Sequence, residues 1–580
     1  MMSWKKLRNF QINKEFLMSV IKKLDQVIAN KIAAGEVIEK IANVVKELVE
    51  NSIDALATQI DITLIESGLT SITVTDNGVG MDKTDALLAF ERHATSKIKN
   101  INDLFRINSL GFRGEALPSI AAISRVELTT SKDSEAIKVV FEDGKFISKS
   151  QASLNQGTKI EVTRLFYTTP ARFKYLKSPQ YELAMIVNLI HKFALAYPKI
   201  SFKLTNNQKI QFVSLGNNNI KDILASIYSA DVARKLIEFS GESRDYSIFG
   251  FTTNPIINRS NNHYVNIFVN KRNITDTRII NAIRECYEQL IPKNRYPIAV
   301  LYIECDPSII DVNIHPRKQE IKFSEYQKLL DLIKTTVEPL VSSSYIYQTP
   351  KEDDIEQIKL EFHEPIREYK ENKQPVINQE KSTIKPKNVI PDMEYIGQYL
   401  GTYLIFQNET GLYLLDQHAA AERIRYERYL RQMERRHSET QELLLPLELA
   451  LPKEKAILLE EHLSELSDFG IKGIITNNQI LIKQVPSWFY KGHELEFAEE
   501  IVETLISEKT LKKADIIDDL AKLLSCKHSL KANHYITKAE AANLVNDLRK
   551  CKRPYTCPHG RPIIVSITIG QIEHWFNRVL

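Results

Sequence analysis

The clearest pattern of apolar and polar positions lies near the beginning of the chain. Val44 and Leu48 recur at helical spacing and would share one face of a helix. Glu47, Asn51 and Asp54 stand at i, i+4 and i+7 and would share another face. The pattern predicts an amphipathic helix with its apolar face in the core. The polar face suits either solvated acids or a site where a carboxylate activates water beside a metal-bound phosphate.

A glycine-rich turn follows this helix and favours the second interpretation. Residues 72–75 alternate between apolar and polar side chains and lead into Asp76, Gly78 and Gly80. This pattern predicts a strand that ends in a turn. Asp76 can accept a hydrogen bond from the amino group of a base. Such turns are usually only turns, so this one is weak evidence when taken alone.

Two further glycine signals lie downstream. Gly111 and Gly114 stand just before a helical segment, where free backbone amides favour a phosphate. Gly157 leads into an alternating run that predicts a strand. The sequence has no Gly-x4-Gly-Lys-Ser/Thr pattern, so its phosphate cradle must differ from a P-loop. In this order, the helix and the glycine segments indicate a nucleotide site.

The same segments resemble the GHKL ATPase superfamily, which includes type II topoisomerases, a heat-shock chaperone, sensor histidine kinases and the MutL mismatch-repair proteins. The similarity is closest to MutL and runs from about residue 19 to the last residue, apart from a middle linker. It rests on residues 32–37, 92–98, 111–117 and 166–172.

The resemblance implies a site for ATP and Mg²⁺. Glu47 would be the general base, Asn51 the magnesium ligand and Asp76 the residue that recognises adenine. Lys318 would reach the terminal phosphate from a second subdomain, although a solvated surface lysine is the ordinary alternative. The other implied nucleotide contacts are Asp54, Gly78, Gly80, Thr95, Ser96, Lys97, Gly111, Phe112, Arg113, Gly114 and Thr158.

Length and changes of pattern predict several domains of α/β class. At 580 residues the chain is too long for a single core. We expect an N-terminal extension at 1–17, a GHKL two-layer ATPase sandwich (Bergerat fold) at 18–219 and a second α/β subdomain at 220–345. Residues 346–391 are rich in Lys, Glu, Gln and Pro and predict a flexible linker. The resemblance makes 392–580 a C-terminal α/β domain for dimerisation and endonuclease activity.

Composition changes this interpretation little. The hydrophobic fraction of 43% and the charged fraction of 26% are ordinary, and a formal charge of +4 is compatible with a nucleic-acid partner without indicating one. Candidate basic contacts are Lys174, Lys177, Lys271 and Arg272. Five thinly spread cysteines argue against a disulfide framework. With no membrane-length apolar run and no signal peptide, we expect a cytoplasmic, nucleoid-associated protein without a membrane partner.

The C-terminal third carries a second set of candidate residues. Asp416 precedes a run of strong helix formers and should lie at a helix start. His418 and Glu422 stand at i, i+4, which is the spacing of two metal ligands on one helix. Glu427 would point nearly the opposite way, which leaves it a supporting role. A pair with this spacing is usually a surface contact, so it is ambiguous when taken alone.

Thiol and imidazole groups follow further along the chain. Cys557 and His559 would point the same way in an extended segment, and Cys526 supplies another thiol. A single cysteine is most often a small buried hydrophobe. In combination, however, these residues resemble the endonuclease form of MutL, with its Asp-Gln-His-Ala-x2-Glu-x4-Glu and Cys-Pro-His-Gly-Arg-Pro motifs.

That resemblance implies a metal-dependent DNA-nicking endonuclease in which Asp416 is catalytic. Manganese or a similar ion would be the catalytic ion, and zinc would be regulatory or structural. Thiolate and imidazole favour zinc, whereas carboxylates favour manganese or magnesium. The sequence leaves open which residues bind which ion. The implied metal ligands are His418, Glu422, Cys526, Cys557 and His559.

The stretch Gln-Glu-Leu-Leu-Leu-Pro at 441–446 resembles the short peptide by which MutL endonucleases contact the sliding clamp. Gln441, Leu444 and Pro446 would make the contact, since an extended peptide can fill a pocket with its apolar side chains. The alternative is that the three leucines start a buried strand. Both can hold in part if one leucine faces inward.

The resemblance as a whole implies an ATP-gated homodimer, joined through its C-terminal domain. It would couple mismatch recognition in double-stranded DNA by a MutS-type partner to nicking. One alternative is an ATP-driven matchmaker without a nuclease, whose C-terminal motif is a structural zinc site. Another is a topoisomerase subunit or chaperone of the same superfamily. Strand passage would need a catalytic tyrosine on a partner and an acidic metal-binding domain, for which the sequence offers no counterpart.

Overall fold

The computed structural model describes residues 38–97, 114–133, 135–288, 290–291, 295–311, 322–323, 325–346, 390–434, 439–476, 478–489, 492–506, 517–518, 520–522, 524–525, 535–576 and 578. They form two compact units. The first holds the described residues up to Ala233 together with Pro452–Leu458, and the second holds those of Arg234–Leu451 and Leu459–Leu580. The predicted extension, and the predicted linker apart from its ends, lie outside the described residues. The domain boundaries given above stay predictions.

The first unit combines helices with one large sheet. Its helices are α1 Ile41–Asp54, α2 Asp85–Leu88, α3 Ala116–Ala121, α4 Pro170–Tyr175, α5 Pro179–Ala196, α6 Ile220–Ile227 and, at its end, α7 Ala230–Arg234. Its strands are β1 Gln59–Ile65, β2 Ser71–Asp76, β3 Arg125–Lys132, β4 Glu135–Glu142, β5 Lys145–Gln151, β6 Gly157–Thr163, β7 Ser201–Asn206 and β8 Lys209–Val213.

These strands form one sheet in the order β5-β4-β3-β6-β2-β1-β7-β8. β1 and β7 run parallel, and the other neighbours are antiparallel. Helices α1 and α5 contact each other and the sheet. Val44 and Leu48 of α1 are buried, as the helical spacing predicts. Ser178 caps α5 by accepting a hydrogen bond from the amide of Tyr181. The predicted α/β class and layered arrangement of helices on a sheet are confirmed.

The second unit begins with a five-stranded sheet in the order β13-β12-β15-β10-β9 and two small two-stranded sheets, β11-β14 and β16-β17. Ile279 of a covering helix, Leu329 of another and Leu301 of the sheet are buried in one apolar cluster. The strands are β9 Leu236–Glu242, β10 Tyr246–Thr253, β11 Asn258–Arg259, β12 Val265–Val269, β13 Arg272–Ile274, β14 Tyr296–Pro297, β15 Ala299–Cys305, β16 Ile310–Asp311 and β17 Lys322–Phe323, and the helices are α8 Thr277–Glu285 and α9 Tyr326–Ile346.

The C-terminal part of the second unit has two antiparallel sheets, β18-β19-β20-β24 and β21-β23-β22. Its strands are β18 Glu394–Tyr399, β19 Tyr403–Asn408, β20 Gly411–Asp416, β21 Thr440–Ala450, β22 Lys472–Thr476, β23 Gln479–Pro486 and β24 Ile564–Thr568. Its helices are α10 Gln417–Glu434, α12 Leu463–Asp468, α13 Glu494–Ile506, α14 Lys538–Arg549 and α15 Ile569–Trp575. A further helix, α11 Lys453–Glu461, lies mostly in the stretch that belongs to the first unit.

Two separate apolar clusters hold these sheets. Ala420 of α10 and Leu548 of α14 pack with Leu404 beside the four-stranded sheet. Ile480 of β23 and Phe497 of α13 belong to the other cluster, beside the three-stranded sheet. Within the described residues, no helix is both long enough and apolar enough to span a membrane.

Candidate functional site

The polar face of α1 carries a tight group of charges around Glu47. The ammonium of Lys46 lies 3.2 Å from Oε1 of Glu47 and 3.0 Å from Oε1 of Glu50. Burial works against the charge on Lys46, but the two carboxylates outweigh it and raise the pKa of Lys46. Burial also raises the pKa of Glu50, against the opposing effect of Lys46. A fixed cation therefore holds the carboxylate proposed to be the general base.

Farther along the same face, α1 binds a second ammonium group. Nζ of Lys97 lies 3.1 Å from Oδ1 of Asn51 and 2.5 Å from Oδ2 of Asp54. These three predicted nucleotide contacts are thus brought together from distant parts of the chain. The side-chain oxygens of Asn51 and Asp54 are hard donors of the kind that Mg²⁺ prefers, and the role of Asn51 as a magnesium ligand stays a prediction.

The segment that carries Lys97 is held by short polar contacts. The amide of Lys97 donates to Oγ1 of Thr95 at 3.2 Å, and the amide of His93 donates to the carbonyl of Gly114 at 3.1 Å. Gly114 has φ +60, and a Cβ there would come within 2.4 Å of the carbonyl oxygen of Ala94. Glycine is therefore required where this segment approaches the start of α3. Ser96 is exposed beside it.

Asp76 stands at the end of β2, as the sequence predicts, with both carboxylate oxygens engaged. Oδ2 accepts a 2.7 Å hydrogen bond from Oγ of Ser52, and Oδ1 accepts one of 2.9 Å from the amide of Gly78. Burial raises the pKa of Asp76, although the bonds from Ser52 and from the amides of Gly78 and Thr158 oppose the rise. These donors also fix the orientation of the carboxylate.

The neighbouring strands complete this pocket. Thr158 on β6 pairs with Asp76 in the sheet register and with Thr130 on β3. The hydroxyls of Thr130 and Thr158 lie 3.0 Å apart. Gly80 has φ +68, and a Cβ there would come within 2.0 Å of the carbonyl oxygen of Ser131. A side chain at Gly80 would therefore push the turn away from the sheet.

Some predicted site residues cannot be compared with the structure, and the structure adds two residues that the sequence did not predict. Five predicted site residues lie outside the described residues: Lys318, Gly111, Phe112, Arg113 and Cys526. Ser52 and Thr130 were not predicted, although both are buried hydroxyls beside the base-recognising pocket. A serine among the buried positions of an amphipathic helix is a usable signal, because a buried hydroxyl needs a hydrogen-bond partner.

A second site lies in the C-terminal part of the chain. A carboxylate oxygen of Glu422, the sulfur of Cys557 and a ring nitrogen of His559 all lie within 4.8 Å of one another. Nδ1 of His559 is 3.0 Å from Oε1 of Glu422. Glu422 and Cys557 are buried, whereas the side chain of His559 is 44% exposed. A set of thiolate, imidazole and carboxylate donors fits a zinc ion or a similar divalent ion.

Asp416 and His418 lie at the start of the helix that carries Glu422. Oδ1 of Asp416 accepts hydrogen bonds from the amides of His418 at 2.9 Å and Ala419 at 3.0 Å. Asp416 is thus the N-cap of α10, which confirms the predicted helix start. His418 is not among the three described residues whose ligand atoms lie within 4.8 Å of one another. Its role as a ligand stays a prediction, as does the catalytic role of Asp416.

Buried polar groups of α10 fasten the segment that carries the thiol and the imidazole. The carboxylate of Glu427 accepts hydrogen bonds from the amides of Lys552 at 2.8 Å and Arg553 at 3.1 Å. Nε of Arg423 donates to the carbonyl of Thr556 at 2.6 Å. These contacts agree with the supporting role predicted for Glu427. They bring the downstream segment onto the helix face that carries Glu422.

The local shape of that segment differs from the prediction. Cys557 and His559 lie in a turn, because the amide of Gly560 donates to the carbonyl of Cys557 at 3.0 Å. Gly560 has φ +84, a conformation that glycine adopts without strain. The expected extended segment was therefore wrong. The turn, rather than strand geometry, brings the two ligand atoms together.

The stretch predicted to bind a sliding clamp projects from β21. The pairing of β21 with β23 shifts register between Glu442 and Leu447, so the intervening residues are left out of the ladder. Leu444 is 99% exposed and Leu445 is 78% exposed, and Pro446 is exposed as well. The alternative in which all three leucines start a buried strand is therefore wrong for Leu444 and Leu445.

The bulge leaves the first leucine on the other side of the strand. Leu443 packs, partly buried, against the apolar cluster of the three-stranded sheet. Gln441 precedes it within the paired part of β21 and is partly buried. Of the alternatives given by the sequence, the structure agrees with the one in which a single leucine faces inward.

Three family models match successive parts of the chain. The model described as histidine kinase-, DNA gyrase B- and HSP90-like ATPase matches residues 38–168. The model for the C-terminal domain of DNA mismatch repair protein matches 224–342, and the model for the MutL C-terminal dimerisation domain matches 396–536. With the sandwich and the α1 site, these matches define a GHKL-class ATPase domain joined to a dimerisation domain.

Comparison with whole proteins identifies the family. The DNA mismatch repair protein MutL of Listeria welshimeri is 40% identical over 601 aligned residues, which cover 97% of this chain and 99% of the relative. The protein of the same name from Geobacillus sp. strain WCH70 is 39% identical over 619, covering 97% and 100%. The chain therefore belongs to the MutL family of DNA mismatch-repair proteins.

Solved structures match about half of the chain. A crystal structure of the N-terminal domain of a DNA repair protein covers 55% of this chain and 99% of its own, with 26% identity and a TM-score of 0.47. The Aquifex aeolicus MutL ATPase domain complexed with ADP covers 51% and 98%, with 23% identity and a TM-score of 0.37.

Proposed function

We propose that this mismatch-repair ATPase also nicks double-stranded DNA with a metal ion held in its C-terminal domain. The observation that carries the proposal is the convergence of Glu422, Cys557 and His559 to within 4.8 Å of one another. A lone cysteine or a lone His–Glu pair would carry little. Three different donor types gathered at one point, two of them buried, suit a metal ion far better.

In the ATPase domain, the residues of α1 divide the work. Glu47 accepts a proton from the attacking water, and Lys46 keeps its carboxylate in place from 3.2 Å away. Asn51 would hold the Mg²⁺ of the nucleotide, which neutralises charge on the phosphates. Asp76 accepts a hydrogen bond from the amino group of adenine. Hydrogen bonds from Ser52 and from the amide of Gly78 hold its carboxylate in the required orientation.

In the C-terminal domain, Glu422, Cys557 and His559 would hold the ion, with His418 and Cys526 as further predicted ligands. A divalent ion there would polarise a phosphodiester and supply hydroxide near neutral pH. Glu427 and Arg423 keep the ligand-bearing turn against α10 through their contacts with the backbone. The softer donors favour zinc, so a catalytic manganese ion would depend more on carboxylates such as Asp416.

Partners follow from the exposed features. Lys174 and Lys177 flank Tyr175, which is 85% exposed on the short helix α4, and these groups suit contact with DNA. The projecting Leu444 suits an apolar pocket on a sliding clamp. Two copies would pair through the C-terminal domain, and a MutS-type protein would deliver the assembly to a mismatch.

The direct test is nicking of supercoiled plasmid by the full-length chain during a titration with Mn²⁺, with and without added Zn²⁺ and ATP. The expected result is open-circular DNA that increases with Mn²⁺ and disappears when a chelator is added. The alternative function, an ATP-driven matchmaker with a purely structural zinc site, predicts ATP hydrolysis but no nicking at any metal concentration. That outcome would overturn the nuclease part of the proposal and leave the ATPase intact.

A further inference from the structure

We infer that Lys97 competes with Mg²⁺ for the side chain of Asn51 and so raises the Mg²⁺ concentration that nucleotide binding requires. The inference rests on the proposed ATPase function, in which Asn51 holds the Mg²⁺ of the nucleotide. It starts from one contact, in which the Lys97 ammonium lies 3.1 Å from Oδ1 of Asn51 and 2.5 Å from Oδ2 of Asp54.

The contact involves the atom that a magnesium ion would use. An ammonium group only donates hydrogen bonds, so Lys97 fixes Asn51 with its amide oxygen, rather than its amide nitrogen, toward the cation. Mg²⁺ also binds oxygen, at about 2.0–2.1 Å. An ammonium and a Mg²⁺ sharing one oxygen would lie within roughly 5 Å of each other and would repel strongly. The two cations therefore exclude one another at Asn51.

The ion pair is sheltered enough for its loss to matter. The side chains of Lys97 and Asp54 are 22% and 11% exposed, so solvent screens their attraction less than it screens an ordinary surface pair. The backbone of the lysine segment is also held, through the contact between the amide of Lys97 and Oγ1 of Thr95. Displacing the ammonium breaks this ion pair. The free energy of Mg²⁺ binding must therefore offset that loss.

The other lysine of the helix face has a different role. Lys46 pairs with Glu47 and Glu50, on the side of α1 that carries the general base. A Mg²⁺ on Asn51 leaves those two carboxylates to Lys46. The competition is therefore specific to Lys97, and a change at this lysine should alter the metal requirement without removing the base.

The first experiment measures ADP binding by the full-length chain while Mg²⁺ is titrated, so that no turnover interferes. Lys97→Met keeps the length of the side chain and removes its charge. We expect this variant to need roughly three- to tenfold less Mg²⁺ for half-maximal ADP binding, as befits a partly buried ion pair. Lys97→Arg should stay close to the wild type. Lys83→Met, which removes an exposed partner of Glu135, is the matched control.

An unchanged or higher Mg²⁺ requirement in Lys97→Met would overturn the inference. So would a loss of ADP affinity that is equal with chelator and with saturating Mg²⁺, because that pattern describes a phosphate ligand. Failure of the wild type to bind ADP under any condition would instead count against the proposed ATPase function.

A second experiment uses only the wild-type protein with saturating ADP. An amine-reactive reagent labels lysines in the presence of Mg²⁺ or of a chelator, and mass spectrometry measures the labelled fraction at each position. Mg²⁺ should increase labelling of Lys97, because the ammonium is released from Asn51 and Asp54. Labelling of Lys83 should not change. Equal labelling of Lys97 in both conditions would overturn the competition.

Discussion

The carboxylate of Glu427 accepts a 2.8 Å hydrogen bond from the backbone amide of Lys552, which lies 125 positions further along the chain. The amide of Arg553 donates a second bond to the same carboxylate. Glu427 is buried, so losing these donors would leave an unpaired polar group inside the domain. The contact ties the helix that carries Glu422 to the segment that carries the other two ligands.

The first prediction concerns this tie. Glu427→Gln keeps the size of the side chain but weakens both bonds to the amides, because a neutral carbonyl accepts less strongly than a carboxylate. We expect zinc affinity to fall about tenfold, as is usual when a group that orients metal ligands is changed. Competition with a fluorescent chelator measures the affinity. Glu448→Gln, at an exposed position of β21, is the control and should leave zinc binding unaltered. Identical affinities in all three proteins would show that Glu427 does not position the site.

The second prediction concerns the general base. Glu47→Ala should leave ADP binding nearly intact and slow ATP hydrolysis by a factor on the order of 10² to 10⁴, the usual contribution of a positioned base. A steady-state phosphate-release assay measures the rate, and Glu238→Ala, at an exposed position in the second unit, is the control. Hydrolysis near the wild-type rate in the Glu47 variant would remove this residue from the mechanism.

The third prediction follows from the raised pKa of Asp76. The ionised carboxylate accepts hydrogen bonds at both oxygens, and protonation turns one of them into a donor. Because burial holds the pKa of Asp76 above its ordinary value, ADP affinity should be full above that raised pKa and should decline as the pH falls through it. Ser52→Ala removes a bond to the ionised form, so the decline should begin at a higher pH.

ADP binding measured across pH 5 to 8 checks this shift. Ser148→Ala, at an exposed position of β5, is a matched control and should follow the wild-type curve. Superimposable curves for the wild type and Ser52→Ala would show that the hydroxyl does not help to keep Asp76 ionised.

The fourth prediction concerns the projecting stretch of β21. Because Leu444 is 99% exposed and Gln441 is only partly buried, Leu444→Ala combined with Gln441→Ala should change the free energy of unfolding by less than about 1 kcal/mol. The same pair should weaken binding to an immobilised sliding clamp by at least about tenfold if Leu444 is the apolar anchor. Surface plasmon resonance measures the affinity. Leu400→Ala, 61% exposed in the turn between β18 and β19, is the control. Unchanged clamp binding in a folded double variant would rule out this contact.

Local patterns predicted the elements that depend on neighbouring residues. The helix of Glu47 and Asn51 follows from apolar spacing, the strand before Asp76 follows from alternation, and the helix start at Asp416 follows from the strong helix formers after it. Each of these depends on side chains within about one or two turns of each other, so a single sequence contains the information.

Contacts between distant parts of the chain were harder to predict. Spacing along one helix pairs Glu422 with His418, but the structure places His559 3.0 Å from Glu422 through a turn and through the bonds of Glu427. The placement of Lys97 on Asn51 likewise has no local signature, since it depends on how a loop returns to α1. In both cases the family resemblance supplied the residues, and the three-dimensional structure supplied their pairing.

Nicking by an Asp416→Asn variant shows whether the C-terminal domain contains a metal-dependent nuclease. Asparagine caps helices as well as aspartate does, so α10 should keep its start while the carboxylate charge is lost. Supercoiled plasmid with Mn²⁺ is the substrate, and ATP hydrolysis is followed in parallel. Nicking should be abolished, while ATP hydrolysis should stay at the wild-type rate. Plasmid nicking by the variant at the wild-type rate would contradict this expectation.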